Sequence, residues 1–235
     1  GDGQYETAYD IESDGTDLSI VWVENSSNDY SLSTGTNAVY AQTLTDGSWG
    51  SAETMNADVP GISSLALGYT GNGRDIAWCA DTDGDLSTAG DTELFVDNTN
   101  VTNNAVDDLN VKFENGSFWF KSNGGLVKLN ENYSAADTGI AFDGNYNITG
   151  NGNGTSAAAV FTQSDDFSNA LMVAYQNADG TFTAPVMLDD MDTLINAFSS
   201  VMNQDGSLTV AMDSKNLSAD PEAISPYTTT DFFVK

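Results

Sequence analysis

Apolar and polar residues alternate along most of this chain in short runs, each closed by Gly, Asn or Asp. Side chains of an extended strand point to opposite faces in turn, so this period of two predicts strands joined by tight turns. No stretch holds a 3.6-residue apolar period for three turns, and no helix is expected. Five groups of strands are predicted. The first holds strands near Glu6–Ser13, Leu18–Glu24, Ala38–Leu44 and Ser51–Met55. The second holds Ser63–Thr70, Asp75–Ala80, Glu93–Asp97 and a poorly marked fourth strand before Asp107. The third is compact, with Leu109–Glu114, Ser117–Ser122, Leu126–Leu129 and a weak strand around Gly139–Phe142. Tyr146–Gly150, Ser156–Gln163, Ala170–Gln176 and Ala184–Leu188 make the fourth, and Phe198–Asn203, Leu208–Asp213 and Thr229–Val234 the fifth.

The groups repeat about every 47 residues over the 235 of the chain. YAQTLTDGSWGSAETM (Tyr40 to Met55) and AYQNADGTFTAPVML (Ala174 to Leu188) share one plan: a strand, an Asp-Gly turn, an aromatic and a short return. Asp-Gly and Asn-Gly suit tight hairpins because such turns need positive φ. The second strand of each group is the most apolar, around Trp22, Trp78, Trp119, Phe161 and Val210. A strand apolar on both faces is expected to be buried on both, as between neighbouring sheets. Four hairpin-linked strands at this period predict an all-β fold, a β-propeller of about five four-stranded blades. One domain over 1–235 is expected, with blades at about 5–57, 58–106, 107–144, 145–192 and 193–235. The rival is a pair of tandem immunoglobulin-like β-sandwiches, which the repeated tail and the recurring apolar second strand do not suit.

The VYAQ strand followed by a DGSW or DGTFTAP hairpin resembles the sialidase-like repeat propellers of secreted and cell-surface bacterial proteins. The resemblance covers the first and fourth groups well, the second and fifth less, and the third poorly. It implies a propeller and an extracellular or cell-surface location in a bacterium, and it brings no catalytic residue. The fifth group lacks a fourth strand, a departure from propellers whose ends interlock.

Charge narrows the partners. With 35 acidic and 6 basic side chains the formal net charge is −29, a surface that repels nucleic acid and anionic lipid. No apolar run approaches a membrane span, so direct membrane insertion is not expected. No signal peptide is read, and Gly1-Asp2-Gly3 is taken as the trimmed start of a larger multidomain chain. Cys79, the single cysteine, lies in the apolar run IAWCA and reads as a small core residue.

The sharpest local motif is Asp81-Thr-Asp83-Gly-Asp85-Leu-Ser87-Thr88-Ala-Gly-Asp91-Thr-Glu93. Acids at alternate positions in a Gly-containing loop can turn their oxygens onto one hard cation. Calcium takes about six to eight oxygens, and Asp81, Asp83, Asp85, a carbonyl near Ser87, and Asp91 or Glu93 are the expected ligands. The bland reading is a solvated acidic loop, and the spacing is not that of an EF-hand. The matching loop of the first group repeats Leu32-Ser33-Thr34 without the Asp ladder, so LST itself is read as structural.

Catalysis is narrowed mostly by absence. Zero histidines exclude a Ser-His-Asp or Cys-His arrangement within this chain and any His-bound zinc. One arginine, Arg74, cannot form the multi-arginine clamp a sialidase needs for its substrate carboxylate. Two carboxylates could still hydrolyse a glycoside, but no motif singles out a pair. Trp49, Phe182, Tyr30, Tyr133 and Tyr146 are candidates for stacking on sugars, with hairpin packing the preferred role for Trp49 and Phe182. The expectation is therefore a non-catalytic propeller module binding a glycan or a protein, calcium its stabilising ion. The alternatives are a two-carboxylate glycoside hydrolase-like enzyme and a structural spacer in a larger surface protein.

Overall fold

The computed structural model describes residues 5–27, 36–85, 88–152, 156–164, 169–189, 193–216 and 229–234. Every regular element among them is a strand, and the protein is an all-β chain of the β-propeller class, its blades successive antiparallel sheets. Sheet one contains β1 (Tyr5–Ser13), β2 (Leu18–Asn25), β3 (Asn37–Thr45), β4 (Ser48–Trp49) and β5 (Glu53–Val59). Its order is β1-β2-β3-β4, with β5 also paired to β3. Sheet two is β6 (Ile62–Thr70), β7 (Gly73–Asp81), β8 (Thr92–Val96) and β9 (Thr99–Asn100). Sheet three is β10 (Asp108–Glu114), β11 (Ser117–Ser122), β12 (Gly125–Leu129) and β13 (Ala135–Ala141). Sheet four is β14 (Tyr146–Gly150), β15 (Ala157–Ser164), β16 (Asn169–Tyr175) and β17 (Val186–Asp189). Sheet five has β18 (Thr193–Met202), β19 (Leu208–Asn216) and β20 (Thr229–Val234). Two compact units are distinguished, one of Gly1–Asn123 with Val127–Ala136, the other of Gly124–Leu126 with Asp137–Lys235.

The turns explain the meander. Asp46-Gly47, Asn115-Gly116, Asn123-Gly124 and Asp97-Asn98 each hold two successive residues at positive φ. That backbone matches the twist of paired strands, and Asn, Asp and Gly adopt it with least strain. The fourth strand of sheet one departs from expectation. Where Ser51–Met55 is predicted, β5 starts at Glu53 and reaches Val59, and a separate two-residue β4 precedes it at the hairpin. Gly50 donates its N–H to Thr43 O at 2.9 Å, closing the hairpin between them.

Neighbouring first strands are stitched by side chains that take up edge N–H groups. Asp10 Oδ2 accepts from Leu67 N at 2.8 Å and Ser64 Oγ from Val111 N at 3.0 Å. In the second unit, Thr149 Oγ1 accepts from Met202 N at 2.9 Å. A row of unpaired strand N–H groups is thereby satisfied without a continuous ladder. Gly68 of β6 lies under the Phe113 ring of β10, where a Cβ would collide with the ring atoms.

The cores lie between sheets. On β7, Ile76, Trp78 and Ala80 pack with Val21, Val23 and Val39 of sheet one. The alternate residues Ala77 and Cys79 pack with Leu94, Phe118 and Phe120. The expectation of second strands buried on both faces holds for β7, and Phe118–Phe120 and Ala157–Thr162 are likewise continuously buried. It fails for β2, where every second residue is only half-buried, and for Leu208–Met212, which also alternates. Those two strands belong to the first and last sheets.

Candidate functional site

Three groups of acids stand out, all in the first unit. The loop after β7 holds the sequence-predicted ligands. Asp81 is 2% exposed and its Oδ1 accepts the N–H groups of Asp83 and Gly84. Asp107 Oδ1 holds the far side of the loop, accepting from Gly90, Asp91 and Thr92 N at 2.8, 3.2 and 3.3 Å. Asp81, Asp83 and Asp91 each bring one carboxylate oxygen within 4.8 Å of the others. Oxygens at that separation can share one calcium ion, whose bonds are about 2.3–2.6 Å long. Asp85 and Glu93 are outside this trio, and Ser87 lies outside the described residues.

Glu93 instead faces Asp108. Its Oε1 accepts Asn104 N at 2.9 Å, and its Oε2 is buried without a hydrogen-bond partner among the described residues. Asp108 is fully buried beside it. Burial pushes the Asp108 carboxyl up, and the Glu93 charge adds to this against the pull of nearby Ser122, Thr102 and Asn104. Exposures of 3% and 0% keep this pair from contact with a large ligand.

The third group was not singled out in the sequence. Asp10 and Glu12 stand on the same face of β1, two residues apart, next to β6, the first strand of sheet two. Two residues of extended chain place their backbones about 6.8 Å apart. Both side chains belong to half-buried residues. Burial is the main cause raising the Glu12 carboxyl, and the charges of Asp10 and of Glu114 at the end of β10 add to it. Asp10 is also raised by burial, but the N–H groups of Leu67 and Ile11 bond its ionised form and oppose the shift. On β10, Lys112 precedes Glu114 by two positions, and burial lowers its ammonium. Beside Glu12, Ser19 Oγ meets Tyr69 Oη at 2.7 Å and Thr43 Oγ1 at 2.8 Å. Perturbed acids gathered where three sheets approach are the arrangement acid–base chemistry requires.

The remaining sequence candidates have other roles. Arg74 is committed to Glu53 at 2.7 Å and to Thr43 at 2.9 Å. Cys79 is fully buried and its thiol is pushed up to about 12, chiefly by burial. Trp49 is 47% exposed at its hairpin, and Phe182 forms a bridge with Gln176. Tyr146 is a core residue against Phe142, Tyr133 occupies a left-handed turn, and Tyr30 lies outside the described residues. A further aromatic row, Tyr9–Trp22–Tyr40, crosses the open face of sheet one.

No protein-family model matches the chain, and no curated protein matches it by sequence. Among solved structures it is similar to a puromycin-hydrolyzing peptidase of Mycobacterium tuberculosis, at TM-score 0.54 and 13% identity. That match covers 96% of this chain and 38% of the peptidase. A GH43 protein from Bacillus licheniformis aligns at TM-score 0.41 and 11% identity over 98% of this chain and 52% of its own. An endo-arabinase from Bacteroides thetaiotaomicron aligns at 0.40 and 11% over 99% and 94%. The chain thus spans well under two thirds of the first two proteins. The likeness to the peptidase establishes the fold alone, and the two weaker alignments add nothing to it. The expectation of a non-catalytic interaction module is corrected to this extent: a peptidase contains the same kind of fold, so the propeller gives no ground for calling the chain non-catalytic. The sequence does not single out the acids of β1, because alternate acids on a strand look like its ordinary polar face.

Proposed function

We propose that the chain is part of a glycoside hydrolase-like enzyme that works with two carboxyl groups, Asp10 and Glu12. The observation carrying this reading is their placement: two half-buried acids on one strand face, joined by Glu114 from another sheet. Glycosidases set their acid and base about 5–9.5 Å apart, the range that alternate residues of one strand supply. Glu12, raised by burial and by two like charges, is the proton donor to the leaving oxygen. Asp10, whose ionised form takes two backbone N–H groups, is the carboxylate that activates water or attacks the sugar. The structural alternative for Asp10 is its bond to Leu67 N alone. Peptide hydrolysis by a His-containing triad is not available to this chain, which has no histidine. The sialidase-like resemblance contributes the propeller to this reading and no chemistry.

The test is hydrolysis of nitrophenyl glycosides, xylan and arabinan by the native chain, Asp10→Asn and Glu12→Gln. Turnover lost in both variants, with circular dichroism unchanged, is the expected result. Native-like turnover in Glu12→Gln removes the assignment. Calcium is proposed separately as a structural ion at Asp81, Asp83 and Asp91. Its support is the convergence of their oxygens and the buried Asp91 Oδ1, which has no partner among the described residues.

A further inference from the structure

A cross-strand row of sheet one that begins at the exposed Tyr9 differs from the buried row at the matching place in sheet two. In sheet two the paired residues are Leu65, Trp78 and Phe95, with Ala80 two positions beyond the tryptophan. In sheet one they are Tyr9, Trp22 and Tyr40, with Glu24 in the place of Ala80. The aromatic plan is kept, but hydroxyls and a carboxylate replace apolar groups in the row of sheet one. Tyr9 is 72% exposed. Trp22 and Tyr40 stack with centroids 5.6 Å apart and planes 19° from parallel. Trp22 Nε1 donates to Glu24 Oε1 at 2.8 Å, which fixes the indole. Tyr9, Ile20, Trp22, Glu24 and Gln42 line an open groove of about 390 Å³.

We propose that this face is a binding platform for a neutral polysaccharide, and the inference rests on the carbohydrate-active reading above. An indole and a phenol in one groove offer apolar surface to the C–H face of a sugar ring, with polar groups at the rim for its hydroxyls. Glu24 keeps its second carboxylate oxygen as an acceptor. Gln42 donates its Nε2 to Gly50 O at 2.7 Å and keeps its Oε1. A covering apolar sheet would bury the Glu24 carboxylate without a cation, which is strongly unfavourable. A second copy would bring another chain of charge −29 against this one, and an anionic polymer would meet the same repulsion. An uncharged polyhydroxylated chain avoids all three penalties.

The test is affinity electrophoresis of the full chain through gels containing xylan, arabinan or polygalacturonate, with sedimentation of the free protein alongside. The expected result is retardation by at least one neutral polymer and none by polygalacturonate. Trp22→Ala and the exposed Tyr9→Ala should each weaken it by about tenfold or more, as for an aromatic anchor of a binding face. Retardation without turnover of any glycoside supports the platform while removing the enzyme reading, and turnover without retardation does the reverse. Retardation indifferent to both aromatic variants overturns the proposal. So does a dimer of the native chain that Trp22→Ala abolishes, which would make this face a contact between copies.

Discussion

Trp22 and Trp78 occupy matching places in consecutive sheets and have opposite fates. Each is the middle of a cross-strand row and stacks on the aromatic of the next strand, Tyr40 or Phe95. Trp78 is fully buried among Val21, Val23 and Val39, whereas the row of Trp22 faces solvent. Composition therefore does not decide which strand is core. β2 and β7 both read as apolar second strands, and burial separates them: every second residue of β2 is only half-buried, whereas most of β7 is buried on both faces. The residue two positions after each tryptophan records the difference: Glu24 in one, Ala80 in the other.

The comparison is broken most strongly by truncating the two indoles. Trp78→Ala should cost about 3–5 kcal/mol, since it empties a packed core. Trp22→Ala should cost about 1 kcal/mol or less, as for a side chain with one free face. Urea unfolding of both variants checks this, and equal losses would mean that the face of sheet one is covered in solution. Next in size, Gly68→Ala should destabilise by about 1–3 kcal/mol, because its methyl must displace the Phe113 ring that fits β6 against β10.

These effects also show what could be read in the sequence. The strands and the hairpins were legible because Asp46-Gly47 and Asn115-Gly116 are local signals whose backbone needs are met within two residues. The two-residue β9 carries almost no such signal, and β4 is only the far side of a turn. At the site, the Asp ladder of the β7–β8 loop was conspicuous because its acids are close in sequence. Yet the fold gathers Asp81, Asp83 and Asp91 while turning Glu93 toward Asp108. Asp10 and Glu12 were illegible for the opposite reason. Alternate acids on a strand mark a solvated face until β6 packs beside it and the charge of Glu114 acts on Glu12, and both are long-range.

Smaller effects sharpen the account. Asp10 and Glu12 are raised in the folded protein, so the folded state binds more protons than the unfolded one just above the ordinary carboxylate range. Stability should therefore fall as pH rises through that range toward neutral. Glu12→Gln should raise the melting temperature at pH 7 and flatten this trend, whereas an unaltered trend would place its cause in the −29 charge alone. Smallest is calcium, which adds about 0.4 kcal/mol at a concentration equal to its dissociation constant. Its melting shift should be lost in Asp83→Asn, and an equal shift in both proteins would reduce it to general screening.

The acid pair is tested most directly by the pH profile of glycoside hydrolysis in the native chain and in Glu12→Gln. A proton donor contributes about 10²–10⁴-fold. The account predicts an alkaline limb set by the raised Glu12 carboxyl, and a loss of at least about a hundredfold with that limb abolished in the variant. A Glu12→Gln protein that keeps both the rate and the limb would contradict it.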